Sequence, residues 1–140
     1  MSQVKLTSLI QKIEKDLQEV RTQFLINMAE DVVNSSKPTV DTGAYITSHS
    51  IRTTRGAGRS RTSHGKPTGQ DPEAKAAEAL GQLMGDIESL PNDQEQVFLT
   101  NNSPHATFVE YKHGYAVYEG VRNRARLHLQ DAINKVKGGQ

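Results

Sequence analysis

The 140-residue chain contains no cysteine. Disulfides and thiolate metal sites are therefore excluded, and folding in a reducing compartment is compatible. It has almost no net charge, with 17 Lys and Arg against 16 Asp and Glu for a formal +1. A large global field for drawing in DNA or an anionic membrane is absent. No apolar run approaches the roughly 18–20 residues of a membrane span. Apolar residues as a whole are scarce, at 34%, and mean hydropathy is −0.65. They cluster toward the two ends and leave the middle nearly empty. One domain over residues 1–140 is expected, with a modest core and a long polar arm over 54–94 that gains order from neighbouring chains. Met1-Ser2-Gln3-Val4-Lys5 leads into a charged amphipathic stretch and not into the apolar block of a signal peptide, so synthesis in the cytoplasm is expected. There is no internal repeat.

What is present is mostly helical rhythm. Leu6, Leu9, Ile10, Ile13, Leu17, Val20, Phe24, Met28 and Val32 recur every three or four positions, which predicts one long helix over 4–34 with a single apolar stripe. It is expected to stop before Ser35-Ser36-Lys37-Pro38. Asp41, Thr42 and Gly43 are turn chemistry, their side-chain oxygens able to take free backbone N–H groups. Residues 44–54 read as extended, with Tyr45, Ile46 and Ile51 as apolar members. Residues 55–70 are polar, glycine-rich and basic, and supply no core. Asp71-Pro72-Glu73 then starts a helix, with Asp71 as cap. Ala77, Leu80, Leu83, Met84 and Ile87 form its stripe, and Leu90-Pro91-Asn92-Asp93 ends it. Residues 95–101 look like a strand, with Val97 and Leu99 on one face and Phe98 on the other. Ser103-Pro104 begins a short helix to about Tyr111, broken at His113-Gly114. A last helix spans about 117–136, lined by Val117, Val121, Ala125, Leu129, Ala132, Ile133 and Val136, and Gly138-Gly139 ends it.

Four of the seven aromatic residues lie between positions 108 and 118, namely Phe108, Tyr111, Tyr115 and Tyr118, alternating with polar groups that include Glu110. Such a patch is either core or an interface anchor of rigid amphipathic rings. Charge along the middle is segregated. Arg52, Arg55, Arg59, Arg61 and Lys66 fall in a stretch without acids, and Asp71, Glu73, Glu78, Asp86, Glu88, Asp93 and Glu95 follow with only Lys75 among them. The two patches either meet across neighbouring subunits and set register, or are solvated surfaces. The same arginines are also suited to sequence-independent phosphate contact.

Three pieces of the chain, in order, resemble the tail-completion and neck proteins of tailed bacteriophages, the head–tail joining or minor tail components. They are Pro38-Thr39-Val40-Asp41-Thr42-Gly43-Ala44 after a long helix, Val97-Phe98-Leu99-Thr100-Asn101-Asn102-Ser103-Pro104-His105-Ala106 running into Phe108-Val109-Glu110-Tyr111, and Gly120-Val121-Arg122 opening the last helix. The resemblance covers roughly 4–51 and 95–136. The chain departs from the family pattern at His105, where tyrosine is usual, and at Lys112-His113, which stand between Tyr111 and Gly114. Residues 54–94 match nothing in it. The resemblance implies an α+β fold, with a small antiparallel sheet packed against two long terminal helices. It also implies a structural, non-enzymatic virion protein at the head–tail junction, needing no cofactor and away from any membrane. Such subunits form a homo-oligomeric ring, expected to be hexameric, that contacts other neck, connector and tail-tube proteins while genomic DNA passes through without sequence readout.

Two other classes compete. A small metal-dependent nuclease or hydrolase would use Asp41, His105, Glu110 and His113, whose positions must then converge. A nucleic-acid-binding adaptor would use residues 52–66. A phosphate-loop reading of Asp41-Thr42-Gly43 lacks the lysine-containing Gly-rich motif, and turn capping is the favoured reading.

Overall fold

The computed structural model describes Gln3 and residues 6–63, 65, 67–92, 96–112 and 115–138. The expectations placed on Val4, Lys66, Asp93, Glu95, His113, Gly114 and Gly139 lie outside these residues. The fold is α+β. Three helices, α1 (Leu6–Ser36), α2 (Pro72–Glu88) and α3 (Val117–Gly138), pack with a two-stranded antiparallel sheet of β1 (His49–Arg52) and β2 (Phe98–Asn101). The register pairs His49 with Asn101 and Ile51 with Leu99.

The core is small and is built where the elements converge. The second half of α1 contributes Ala29, Val32 and Val33, α2 contributes Ala76, Ala79, Leu83 and Ile87, and Tyr45, Ile46, Ile51, Val109, Val117 and Val121 close it. The helix of the expected arm is therefore part of the core. Its buried face runs through Ala76, Ala79, Leu83, Asp86 and Ile87, and Ala77 is exposed. That corrects the stripe read from the larger apolar residues. Close packing of α2 against α1 favours small alanines, and one core position is held by a carboxylate.

α1 and α3 run antiparallel. Asn27 Nδ2 donates to the His128 carbonyl at 3.0 Å, and Arg124 grips Asp31 through two nitrogens at 2.9 and 2.8 Å. His128 Nε2 lies 2.6 Å from the same carboxylate. α1 continues to Ser36, past the expected stop. Lys37–Thr39 then form a 3-10 turn with proline in its first turn, where no N–H is needed. Residues 44–48 are not extended either. A 3-10 turn covers Ile46–Ser48, and Thr47 and Ser48 return their hydroxyls to the carbonyls of Gly43 and Ala44 at 2.6 Å each. Such local hydroxyl bonds favour turns over strand pairing. Asp71 caps α2 by accepting from Glu73 N. Beyond Ser103-Pro104 the chain makes a wide π turn over Phe108–Lys112, where an α-helical turn was expected.

The segment after β1 has no regular structure, yet it is tied down. Arg59 N donates to Ser50 Oγ at 2.9 Å and Arg61 N to Ser48 Oγ at 2.8 Å. Its path crosses β1 so closely that a Cβ on Gly58 would lie 2.5 Å from Ser50 Cβ, and Gly58 has a φ of +136°. At its far end, Asp41 accepts from Gly69 N at 2.9 Å and its carbonyl from Gln70 N at 2.8 Å. The principal anchor is Asp86, 8% exposed. It takes two bonds from Arg59 (3.0 and 2.6 Å), an ion pair from Arg52 (2.6 Å) and the Ile51 N–H (3.0 Å). Arg52 and Arg59 thus both pair with a carboxylate of their own chain. A buried carboxylate demands this many donors.

Replacing Asp86 with Ala strands two guanidinium groups and the Ile51 N–H. The expected cost is about 3–5 kcal/mol in urea unfolding, with faster proteolytic cleavage within residues 53–61. A loss below about 1 kcal/mol with unchanged cleavage would contradict this role for the carboxylate.

Candidate functional site

The most organised polar cluster sits between the end of α1, the sheet and the start of α3. His49, at the first position of β1, is 1% exposed. Its Nε2 lies 2.8 Å from Ser36 Oγ and its Nδ1 lies 2.8 Å from Tyr118 Oη and 3.2 Å from Asn101 Nδ2. Tyr45 meets the imidazole edge-on at a ring distance of 5.1 Å. Tyr45 Oη donates to Glu110 Oε1 at 3.2 Å, and the Tyr118 N–H donates to the same oxygen at 2.7 Å. The wide turn at 108–112 is what brings Glu110 to the N-terminal end of α3, where partial positive charge favours a carboxylate.

Proton counting fixes the tautomer. The Ser36 hydroxyl spends its only hydrogen on the Val32 carbonyl at 2.6 Å. Ser36 Oγ must therefore accept from His49 Nε2–H, which leaves Nδ1 as an acceptor for Tyr118 and Asn101. Asn101 uses its other N–H on the Tyr45 carbonyl at 2.8 Å, and its oxygen takes Ser103 N at 2.9 Å. This is the reverse of an activated serine, whose proton must point at the imidazole. Ser36 is also fully buried. The pair is a sealed structural joint.

Burial holds the His49 imidazole down at about 3, against an ordinary 6.5. Burial, and next the Glu110 charge and hydrogen bond, push the Tyr45 hydroxyl far above its usual range. Tyr118 is raised by burial and then by Tyr45 and Glu110. Both phenols stay protonated donors. Asp31 is raised by burial but lowered more by its bonds to Arg124, His128 and Ser35, and ends at about 2.

Two hollows flank this joint. A cleft of about 780 Å³ opens over Tyr45, Asn101, Glu110 and Tyr118, with Tyr111, Glu119 and Arg122 at its margin. A smaller hollow of about 360 Å³ lies between Asp41-Thr42-Gly43 and the turn carrying His105, Phe108 and Tyr115. In the turn itself, Thr42 Oγ accepts from Ala44 N at 3.3 Å, and Gly43 has a φ of +84° with the Lys75 side chain against it.

The aromatic patch divides between inward-facing and exposed rings. Tyr118 faces inward with Glu110. Tyr111 is 80% exposed, and Phe108 and Tyr115 are also exposed. Of the basic residues, Arg55 and Arg61 are exposed and Arg52 and Arg59 are engaged by Asp86. Among the described residues, no three His, Asp or Glu side chains gather as a metal group. Asp41 bonds to Gly69 and Glu110 to Tyr45 and Tyr118. No helix among the described residues is long and apolar enough to cross a membrane.

Sequence reading missed Ser36, His49 and Asn101. The only signal was the polar run Thr47-Ser48-His49-Ser50 held between Ile46 and Ile51, since polar residues flanked by core positions need internal partners. Compared with known proteins, the chain matches no family model, no curated protein and no solved structure.

The His49 joint makes the fold acid-sensitive. Above pH 6.5 folded and unfolded chains both hold neutral imidazole. Between pH 6.5 and about 3 the unfolded chain takes a proton that the folded one refuses, so stability falls as pH falls. Asp31 adds a loss only below 3.8, as pH falls toward 2. Lowering the pH from 7.5 to 5 should remove about 2 kcal/mol through His49 alone. In His49→Gln the same pH step should be flatter by that amount. Equal slopes for both proteins in urea titrations would refute the assignment.

Proposed function

We propose that this chain is a structural subunit of a tailed-bacteriophage neck, forming a ring that completes the tail or joins it to the head connector. One observation carries the reading. The three segments that resemble neck and tail-completion proteins are far apart in sequence and come together in space. The Asp41-Thr42-Gly43 turn faces the His105–Phe108 segment across the smaller hollow. The Leu99–Tyr111 stretch faces Val121 and Arg122 across the larger cleft. Tyr45, Asn101, Glu110 and Tyr118 tie them to each other. Tyr45 lines both hollows, and a resemblance by chance has no reason to gather its three segments around one residue.

The surface suits protein contact. A closed ring needs one face of a subunit to meet a different face of the next. An exposed tyrosine beside a half-apolar cleft, with Glu119 and Arg122 at the rim, has the anatomy of an interface anchor. The ring reading assigns six copies, contacts to connector and tail-tube proteins, and passage of DNA through the lumen. Arg55 and Arg61, both exposed, supply phosphate contact there that is weak and insensitive to sequence. The role is non-catalytic. The sealed Ser36–His49 pair and the committed Glu110 give a hydrolase reading no support.

The decisive test is a density map of the neck in purified virions, with the chain identified in those particles by mass spectrometry. A ring of this fold at the head–tail junction is the expected result. A chain that is missing from particles and turns over a substrate as a single subunit would sink the proposal. Tyr111→Ala should leave thermal unfolding unchanged and lower incorporation at limiting protein by roughly tenfold or more. Wild-type incorporation would remove Tyr111 from the interface.

A further inference from the structure

The first half of α1 is an apolar surface that this chain does not cover. Leu6, Leu9, Ile10, Ile13 and Leu17 are 51–63% exposed. Leu6, Ile10, Ile13 and Leu17 follow a spacing of four, three and four, which keeps them on one face. Further along, that same face of α1 is occupied by α3, through Asn27 with His128 and Asp31 with Arg124. From His128 to Gly138 is about 15 Å of helix. α3 therefore ends level with Leu17, and α1 projects past it by about 17 Å. A helix of this length with a bare apolar stripe gains little stability from its own backbone.

We infer that a second copy of this chain covers the stripe, its α1 lying antiparallel across residues 6–17. The stripe reads Leu, Ile, Ile, Leu in either direction, and its spacing is its own mirror image. An antiparallel neighbour thus sets Leu6 against the partner's Leu17 and Ile10 against the partner's Ile13, a self-complementary patch about a two-fold axis. Parallel alignment fails on space, because the second helix would run straight into α3. The antiparallel one carries the partner's body away beyond Leu6, where its own α3 ends. Each α1 is then covered along its whole length, first by the partner and then by its own α3. No like charges meet at the seam. The flanking acids Glu14 and Asp16 fall beside the partner's Thr7 and Leu9. This pairing rests on α1 alone and not on the neck-ring reading, and it uses a face apart from the cleft.

Sedimentation equilibrium and native mass spectrometry of the full chain test it. A concentration-dependent dimer is expected, and the Ile10→Asp/Ile13→Asp double variant should show only the single-chain mass, with thermal unfolding equal to that of the wild type at dilutions where the wild type is also a single chain. Because the chain has no cysteine, Ile10→Cys and Ile13→Cys can be made separately, mixed and oxidised. The antiparallel pair gives the mixed disulfide in preference to either same-site disulfide. A wild-type chain that is monomeric at every concentration, a dimer that survives the aspartates, or dominant same-site disulfides would each overturn the pairing. So would a monomer that cosediments with phosphatidylcholine–phosphatidylglycerol vesicles, which would assign the stripe to lipid. A six-fold species untouched by the double variant would also overturn it while favouring the ring.

Discussion

Asp86 is the interaction on which the middle of the chain depends. A chain with so few apolar residues cannot enclose its sheet in hydrocarbon alone. The outer side of β1 is covered instead by a polar segment, and that segment stays in place because one carboxylate on α2 gathers Arg59, Arg52 and the Ile51 N–H. The arrangement is expensive in desolvation and is tolerable only because each acceptor site is met. It joins α2, β1 and the following segment into one unit, which is why the polar midsection belongs to the body of the fold.

The helices were legible in sequence because periodicity reports directly on burial. The cap at Asp71, the strand around Phe98 to Asn101 and the long terminal helices follow from local chemistry. What sequence could not give was the identity of the covering partner. Leu6 through Leu17 continue the same rhythm as Met28 and Val32, yet only Met28 and Val32 reach the core of this chain. Arg52, Arg59 and Asp86 read as members of two surface charge patches, since nothing in a linear sequence says that a carboxylate on a helix faces a strand 35 residues earlier. The partners in the His49 joint were hidden for the same reason, with only the polar run at 47–50 as a trace. Ser36, His49, Asn101 and Tyr118 have no pattern of spacing, and only the coming together of α1, the sheet and α3 assembles them.

The joint and the cleft bear different relations to function. The joint is closed, neutral at physiological pH and fully hydrogen-bonded, so its contribution is to hold Tyr45, Glu110 and the start of α3 in fixed relation. The cleft inherits its shape from that fixity. On the neck-subunit proposal, side chains ordered in advance would favour affinity for a neighbour. Glu110, held by a phenol and a backbone N–H at once, is such a side chain, and Tyr111 beside it is the ring that this ordering presents to solvent.

The two serine hydroxyls on either side of His49 have a consequence of their own. Ser48 and Ser50 each receive a backbone N–H from residues 61 and 59, so they act as a ladder rail made of side chains. The amides of Arg59 and Arg61 lie outside any helix or strand, yet they are satisfied by groups buried with β1. Their exchange with deuterated solvent is therefore coupled to opening of the sheet. Slow exchange is thereby expected to reach into a stretch that sequence composition marks as coil.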